Sequence, residues 1–171
     1  MSSDNPLAAQ PGQPGIDPRG PRFGATITVI TLLIELVLLL GSNSGVATGN
    51  SVVANWLTPA GLLLSFIVLI FGIGAFAGIQ RHPYGFLFKK LIRPRLQAPT
   101  ELENPKPPTF AQLIGFIITA AGLVFLLLGL TVGAVIAVAF AFVAAFLNSV
   151  FNFCLGCQIY VLLVRGGIVK A

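Results

Sequence analysis

Charged side chains are scarce in this chain of 171 residues. Only 9% of the residues are Asp, Glu, Lys or Arg, whereas soluble domains carry about a quarter. So few charges cannot cover the surface of a water-soluble globule, and 56% of the residues are hydrophobic. The composition therefore excludes a single soluble domain and favours a membrane protein.

Histidine and cysteine are rarer still, with one histidine, His82, and two cysteines, Cys154 and Cys157. A single histidine excludes a bis-His haem site. The sequence also lacks a Ser–His–Asp set, a phosphate-cradling glycine loop and the HExxH motif of zinc proteases. The sequence therefore predicts no cofactor and leaves open whether the protein is an enzyme.

The net charge is +5, which in a soluble protein would raise nucleic acid as a partner. Here the basic residues flank apolar runs, where they set membrane topology and contact anionic lipid. The basic stripes interleaved with aromatic residues that single-stranded nucleic acid requires are missing. We therefore expect the lipid bilayer as a partner, and no nucleic acid.

Four apolar stretches are long enough to cross the hydrocarbon as helices, which takes about 20 residues. They cover roughly residues 23–41, 56–79, 110–130 and 132–153. The last apolar run continues to residue 164, so its helix must tilt, break or leave the membrane before that point. The predicted fold class is all-α, a transmembrane four-helix bundle.

Polar segments lie between and around these spans. Residues 1–22 are rich in proline and have no long apolar run, which predicts a disordered tail. Residues 80–108 form a basic connector that mixes Phe, Leu and Ile with Lys and Arg, which is typical of a segment in the membrane interface. Residues 166–171 form a short C-terminus.

The distribution of Lys and Arg predicts the orientation. All ten lie in the tail, in the connector or from residue 165 onward, and the 41–55 and 129–133 loops have none. With four spans, all ten fall on one side of the membrane, which is then cytoplasmic. Both termini and the connector are therefore predicted to be cytoplasmic.

Cys154 and Cys157 are the strongest candidates for chemistry. Two thiols three positions apart can close a disulfide, and they are expected near the cytoplasmic boundary. Transient exchange with a thioredoxin-like or persulfide-carrying partner is the natural use of such a pair there, since a permanent disulfide is not expected in the cytoplasm. The alternatives are two buried cysteines that only pack, or half of a zinc site whose further ligands are missing.

The continuity of the fourth helix decides how the two thiols differ. A helix that restarts near Cys154 would direct free N–H groups at its sulfur and favour the thiolate. Cys154 would then be the attacking thiol and Cys157 the resolving one. An unbroken helix would give neither cysteine this advantage.

Three further polar residues lie within the spans. A charged Glu35 in the middle of the first span is costly, so it is either a proton relay or contact for a quinone or ion, or a neutral carboxyl hydrogen-bonded across the bundle. Asn148 and Asn152 lie four apart and share a helix face. Interhelical hydrogen bonding is the favoured role for both, ahead of contact with a ligand.

Two other features have less specific interpretations. His82, beside Pro83, is expected to be a solvated histidine of an interfacial loop. Gly74 and Gly78 form a small-xxx-small pattern that allows helices to approach closely. Packing within the chain is favoured for this pair, and homo-oligomerisation is the alternative.

Several sequence segments resemble those of an uncharacterised family of bacterial four-span membrane proteins, catalogued as a domain of unknown function. The likeness runs from Ile16 to Arg165 and is carried by IDPRGPRFGA, RHPYGFLFKKLIRPRL, ELENPKPPTFAQ and AAFLNSVFNFCLGCQIYVLL. It implies that Cys154 and Cys157 are the family's cysteines, and that Arg19, Pro21, Arg22 and Phe23 belong to its opening motif. It also implies the bacterial cytoplasmic membrane and a thioredoxin-like or sulfurtransferase partner, but no reaction.

A more distant likeness is to small four-helix dithiol membrane proteins such as vitamin K epoxide reductase. The chain lacks the second cysteine pair that those proteins use to relay electrons, so the likeness concerns fold alone. Two functional classes remain open. One is a thiol-based membrane protein that relays reducing equivalents or sulfur, and the other is a non-enzymatic membrane subunit or small transporter in which the cysteines are structural.

Overall fold

The computed structural model describes residues 7–9, 12, 14–41 and 51–169. Within these ranges the chain forms seven α-helices and no strand beyond two isolated bridges, which confirms the all-α class. In chain order the helices are α1 (Arg19–Leu40), α2 (Val52–Trp56), α3 (Pro59–Phe76), α4 (Pro83–Leu87), α5 (Lys106–Leu127), α6 (Thr131–Phe151) and α7 (Leu155–Arg165). Single turns of 3₁₀ or π-helix link α3 to α4 and extend α4 to Arg95.

Four of these helices, α1, α3, α5 and α6, are long and apolar enough to cross a membrane. This is the predicted number, and the architecture is that of a multi-pass membrane protein. The observed bounds differ from the predicted ranges by up to four residues. Helix α1 already begins at Arg19, and the second span begins at Pro59 because Thr58 caps it, its hydroxyl accepting from the Gly61 N–H at 3.0 Å.

The long helices run back and forth between two ends. The hydroxyls of Thr26 in α1 and Ser149 in α6 lie 2.8 Å apart, so the start of α1 adjoins the end of α6. At the other end, the Asn55 amide donates to the Leu127 carbonyl at 3.1 Å. The end that holds the starts of α1 and α5, the ends of α3 and α6 and the connector is called the basic end. Its Lys and Arg residues are Arg19, Arg22, Arg81, Lys89, Lys90, Arg93, Arg95 and Lys106.

Part of the N-terminal tail lies against the connector. Ile16 and Glu103 exchange two backbone hydrogen bonds of 2.9 Å, and Ala9 donates to the Leu102 carbonyl at 3.0 Å. Disorder was predicted for residues 1–22, but these hydrogen bonds hold the described part of the tail in place. They satisfy backbone groups of the tail and of the connector together. Residues 1–6, 10, 11 and 13 of that tail lie outside the described residues.

Helix α5 lies at the centre of the bundle and packs against α3, α6 and α7, while α1 packs against α6 and α3. The core is apolar; its fully buried side chains include Leu32, Leu64, Leu126 and Val138. Many large apolar side chains point outward instead, such as Val37, Leu69 and Phe140. This outward apolar surface is what contact with lipid requires.

Glycines set the distance between α3 and α5 through two reciprocal contacts. Phe71 of α3 lies over Gly115 of α5, and Phe116 of α5 lies over Gly72 of α3. A Cβ at Gly72 would have 3.4 Å to the Phe116 ring, which is tight but tolerable, whereas a Cβ at Gly115 would overlap the Phe71 ring. Small residues thus allow the two helices to approach closely.

The predicted Gly74–Gly78 seam between helices is not formed. Gly78 lies beyond the end of α3 and has a φ of +84°, which glycine adopts without strain. Gly74 faces two polar side chains, those of His82 and Gln112, rather than a neighbouring span's backbone.

The unequal space at the two glycines yields a stability prediction. Gly115→Ala should destabilise the folded protein by about 1–3 kcal/mol, because the methyl group overpacks against Phe71. Gly72→Ala is the matched control and should be neutral or slightly stabilising, because alanine favours helix by about 1 kcal/mol. Thermal unfolding in detergent measures both. Equal loss for the two variants would contradict the packing described for Gly115.

Candidate functional site

The fourth span ends in a break of the helix. Helix α6 ends at Phe151, and Asn152 adopts the left-handed conformation with φ 56° and ψ 28°. Asparagine tolerates this conformation better than most residues. Two extended or irregular residues follow, and α7 begins at Leu155 with Cys154 as its N-cap. Of the two alternatives considered for this helix, the structure has the broken one.

Cys154 and Cys157 are joined by a disulfide across the first turn of α7. The Cys154 sulfur also accepts a hydrogen bond from the Cys157 N–H, with 3.2 Å between nitrogen and sulfur. Free N–H groups at a helix start favour negative charge on a nearby group. When the disulfide is reduced, this position favours the thiolate of Cys154.

The two cysteines differ in their access to the surroundings. Cys154 is half-buried at the edge of the break, whereas Cys157 is only 7% exposed. Cys157, Tyr160 and Val161 form the buried face of α7 at the i, i+3, i+4 spacing of one helix side. An attacking group therefore reaches Cys154 more readily than Cys157.

Gly156, between the cysteines, holds α7 against the start of α5. A Cβ at Gly156 would lie 2.6 Å from both Cα and Cβ of Ala111, so only glycine permits this approach. One turn further, the rings of Tyr160 and Phe110 pack at 5.7 Å between centroids. Because Phe110 and Ala111 belong to the first turns of α5, the disulfide lies at the basic end.

No group of three or more His, Cys, Asp or Glu side chains gathers in the part of the chain that the structure describes. The zinc alternative for Cys154 and Cys157 therefore has no ligand set among these residues, since structural zinc requires four.

Glu35 is fully buried in the core between Leu32 and Leu39 of its own helix. Neither carboxyl oxygen has a hydrogen-bond partner among the described residues. Thr119, also fully buried, donates its hydroxyl to the Gly115 carbonyl of its own helix at 2.8 Å. The cross-bundle hydrogen bond expected for a packing role of Glu35 is thus not formed.

Among the described residues, neither Asn148 nor Asn152 makes a hydrogen bond to another span. Near the end of α6 the hydrogen bond between spans instead joins the hydroxyls of Ser149 and Thr26. Asn148 is half-buried, and Asn152 is exposed and ends the helix through its backbone conformation. The structural contribution of Asn152 is therefore the helix break that its backbone conformation permits.

His82 was expected to be solvated, but the structure buries it to 4% exposure. It is the N-cap of α4, where its Nδ1 accepts from the Tyr84 N–H at 3.3 Å and Pro83 occupies the first helical position. Burial lowers the pKa of His82 to about 4. Pro83 was the signal in the sequence for a helix start after His82, because proline is favoured at the first helical position.

The position of Cys154 predicts unequal reactivity of the two thiols. In Cys157→Ser, the remaining Cys154 should be alkylated about tenfold faster at neutral pH than Cys157 is in Cys154→Ser, because only Cys154 gains from the helix start. Its reaction should also persist to lower pH. Rates of alkylation against pH, measured in detergent, test this. Equal rates, or a faster Cys157, would remove the assignment.

Comparison with known protein families matches residues 16–165 to the family described as "Domain of unknown function (DUF4395)". Comparisons with curated proteins and with solved structures give no match. The matched range includes all four spans, the connector, α7 and both cysteines. The chain belongs to the DUF4395 family.

Proposed function

We propose that the protein is a dithiol–disulfide exchange protein of the bacterial cytoplasmic membrane. Its Cys154–Cys157 pair would exchange electrons with a thioredoxin-like partner in the cytoplasm. The observation that carries this proposal is the disulfide at the start of α7, in which Cys154 is accessible and Cys157 is buried. Attack at one sulfur and release of a sheltered second sulfur is the arrangement that thiol–disulfide exchange requires.

The exchange proceeds in two balanced steps. A partner thiolate attacks the Cys154 sulfur, which forms a mixed disulfide and releases Cys157 as a thiolate that takes up a proton. The partner's second thiolate then attacks the partner's first sulfur in the mixed disulfide. This step releases Cys154 as a thiolate, which also takes up a proton. Two electrons and two protons reach the chain, and the partner leaves as a disulfide. In the reverse direction Cys154 attacks and Cys157 resolves.

The orientation of the bundle supports a cytoplasmic partner. The basic end carries nearly all Lys and Arg residues, and such residues are retained on the cytoplasmic side. The disulfide lies at the same end, because Gly156 contacts Ala111. With the basic end on the cytoplasmic side, Cys154 would face cytoplasmic reductants, and its disulfide would be one state of a cycle rather than a permanent crosslink.

The same thiolate also suits a sulfur relay. A persulfide on a sulfurtransferase partner would transfer its outer sulfur to the Cys154 thiolate and leave as a thiolate itself. Attack by Cys157 would then release the sulfur as sulfide and close the disulfide. Both versions use Cys154 as the first contact and differ only in what the partner carries.

Glu35 favours a second candidate function, that of a membrane subunit or small transporter in which the cysteines are structural. Its carboxyl is fully buried within the spans and has no hydrogen-bond partner among the described residues. A carboxylate at membrane depth is a candidate site for a proton or a cation. In this alternative the redox state of Cys154 would not affect activity.

A direct test of exchange uses a thioredoxin that lacks its resolving cysteine. With the oxidised chain in detergent, its remaining thiol should form a covalent adduct on Cys154, because Cys157 is buried. Mass spectrometry after acid quenching locates the adduct. The Cys154→Ser/Cys157→Ser double variant is the control and should form none. Absence of any adduct on the wild-type chain, or an adduct on Cys157 instead, would contradict the proposal.

The topology has its own test. A reporter active only in the cytoplasm should be inactive when inserted at Gly45, in the uncharged loop between α1 and α2, and active when fused after Ala171. Whole-cell reporter activity at matched expression measures both. Cytoplasmic behaviour of the Gly45 fusion would contradict the proposed orientation and with it the cytoplasmic partner.

A further inference from the structure

A cavity of about 360 Å³ opens at the basic end, and neither cysteine is among the residues that line it. Its walls come from the tail, the start of α1, the connector and one residue of α5. Sites for small molecules typically measure about 300–1,000 Å³, so this volume accommodates a ligand rather than a few waters. The polar side chains that matter here are Asp17, His82, Lys89, Arg93 and Gln112.

Two of the residues that line the cavity carry a buried polar atom, one a donor and one an acceptor, without a hydrogen-bond partner among the described residues. His82 is 4% exposed, and the first of these atoms is its Nε2. Because its Nδ1 accepts from the Tyr84 N–H, the proton of the neutral ring resides on Nε2, which is therefore a donor. The buried Oε1 of Gln112 is likewise without a partner and is an acceptor.

The side chains that carry these two groups adjoin the same residue. A Cβ placed on Gly74 would be 2.7 Å from Cδ2 of His82 and 2.9 Å from Oε1 of Gln112, so both side chains pack against Gly74. Buried polar groups are nearly always paired in folded proteins. An adjacent donor and acceptor without partners are matched by a hydroxyl group, which both accepts and donates.

The mouth of the cavity is cationic. Lys89 and Arg93 are exposed lining residues, and no salt bridge engages them in the described part of the chain. The one carboxylate in the wall, Asp17, is occupied by Arg19, whose Nε and Nη2 donate to it at 2.9 and 2.8 Å. These hydrogen bonds hold the pKa of Asp17 below its usual value. The free charge at the mouth is therefore positive.

We propose that this cavity binds a glycerophosphate group. The phosphate would lie between Lys89 and Arg93, since a guanidinium and an ammonium together bind phosphate oxygens well. A glycerol hydroxyl would reach His82 and Gln112, and the apolar wall of Ile16, Ile79 and Phe88 would cover the carbon skeleton. An anionic phospholipid such as phosphatidylglycerol and soluble glycerol 3-phosphate both supply this group. The site involves neither cysteine and does not rest on the proposed exchange.

The test measures binding to the delipidated full chain in detergent. Native mass spectrometry and titration calorimetry with glycerol 3-phosphate and with short-chain phosphatidylglycerol give the affinities. Phosphatidylcholine, which has no net charge and no free glycerol hydroxyl, is the comparison. The Lys89→Gln/Arg93→Gln variant should bind about tenfold more weakly. Lys90→Gln/Arg95→Gln removes the same charge from the same connector, outside the cavity lining, and should retain the affinity.

The variant Gln112→Leu shows whether Gln112 contacts the ligand or only supports the fold. Loss of a buried, unpaired oxygen should leave thermal stability unchanged or raised, while binding weakens severalfold. Binding of phosphatidylglycerol alone identifies a lipid site. Binding of both probes identifies a site for the soluble ester. Either result supports the proposal if the variants change the affinity as stated. An equal loss of affinity in the two double variants, or the absence of binding to both probes, would overturn the proposal.

Discussion

The requirement that backbone groups in hydrocarbon be hydrogen-bonded within the helix governs this structure. A membrane-spanning helix can be interrupted only where water or protein satisfies the freed groups. Helix α6 has 21 residues, which at 1.5 Å per residue spans about 31 Å, close to the hydrocarbon thickness. On this length, the break at Asn152 is expected at the edge of the hydrocarbon. The unpaired N–H groups that start α7 are then available to the sulfur of Cys154.

The sequence was sufficient for features that depend on local pattern. Apolar runs of spanning length predicted the four membrane helices, and the one-sided distribution of Lys and Arg predicted the basic end. The CxxC spacing indicated the dithiol, but the sequence left open whether the fourth helix breaks before Cys154 or continues through it. The bounds were less exact, because capping by Thr58 and the early start at Arg19 are set by individual contacts rather than by hydropathy.

The cavity was not predictable in the same way. It depends on the tail meeting the connector through Ile16 and Glu103, which lie far apart along the chain, and no periodicity encodes such a pairing. His82 was misjudged because its burial depends on packing against Gly74 of α3, which no periodicity encodes. Because the tail was predicted to be disordered, the cavity wall that it forms was not predicted.

Helix α5 connects the two features of the basic end. Ala111 contacts Gly156 of α7, and Gln112, the next residue, lines the cavity. Consecutive residues of an α-helix point about 100° apart, so the dithiol and the cavity lie on different faces of one turn. The two proposed sites are therefore separate although both lie at the basic end, one built on sulfur and one on hydrogen bonds and positive charge.

The central claim is that Cys154 and Cys157 undergo redox exchange with the cytoplasm. Its most direct test is the redox state of the pair in living cells, obtained by acid quenching, alkylation of free thiols with a mass tag and gel separation. The account predicts a mixture of dithiol and disulfide that shifts towards the disulfide when the cell's thioredoxin reductase is depleted. A pair that remains fully reduced, or fully oxidised, regardless of that depletion would contradict it.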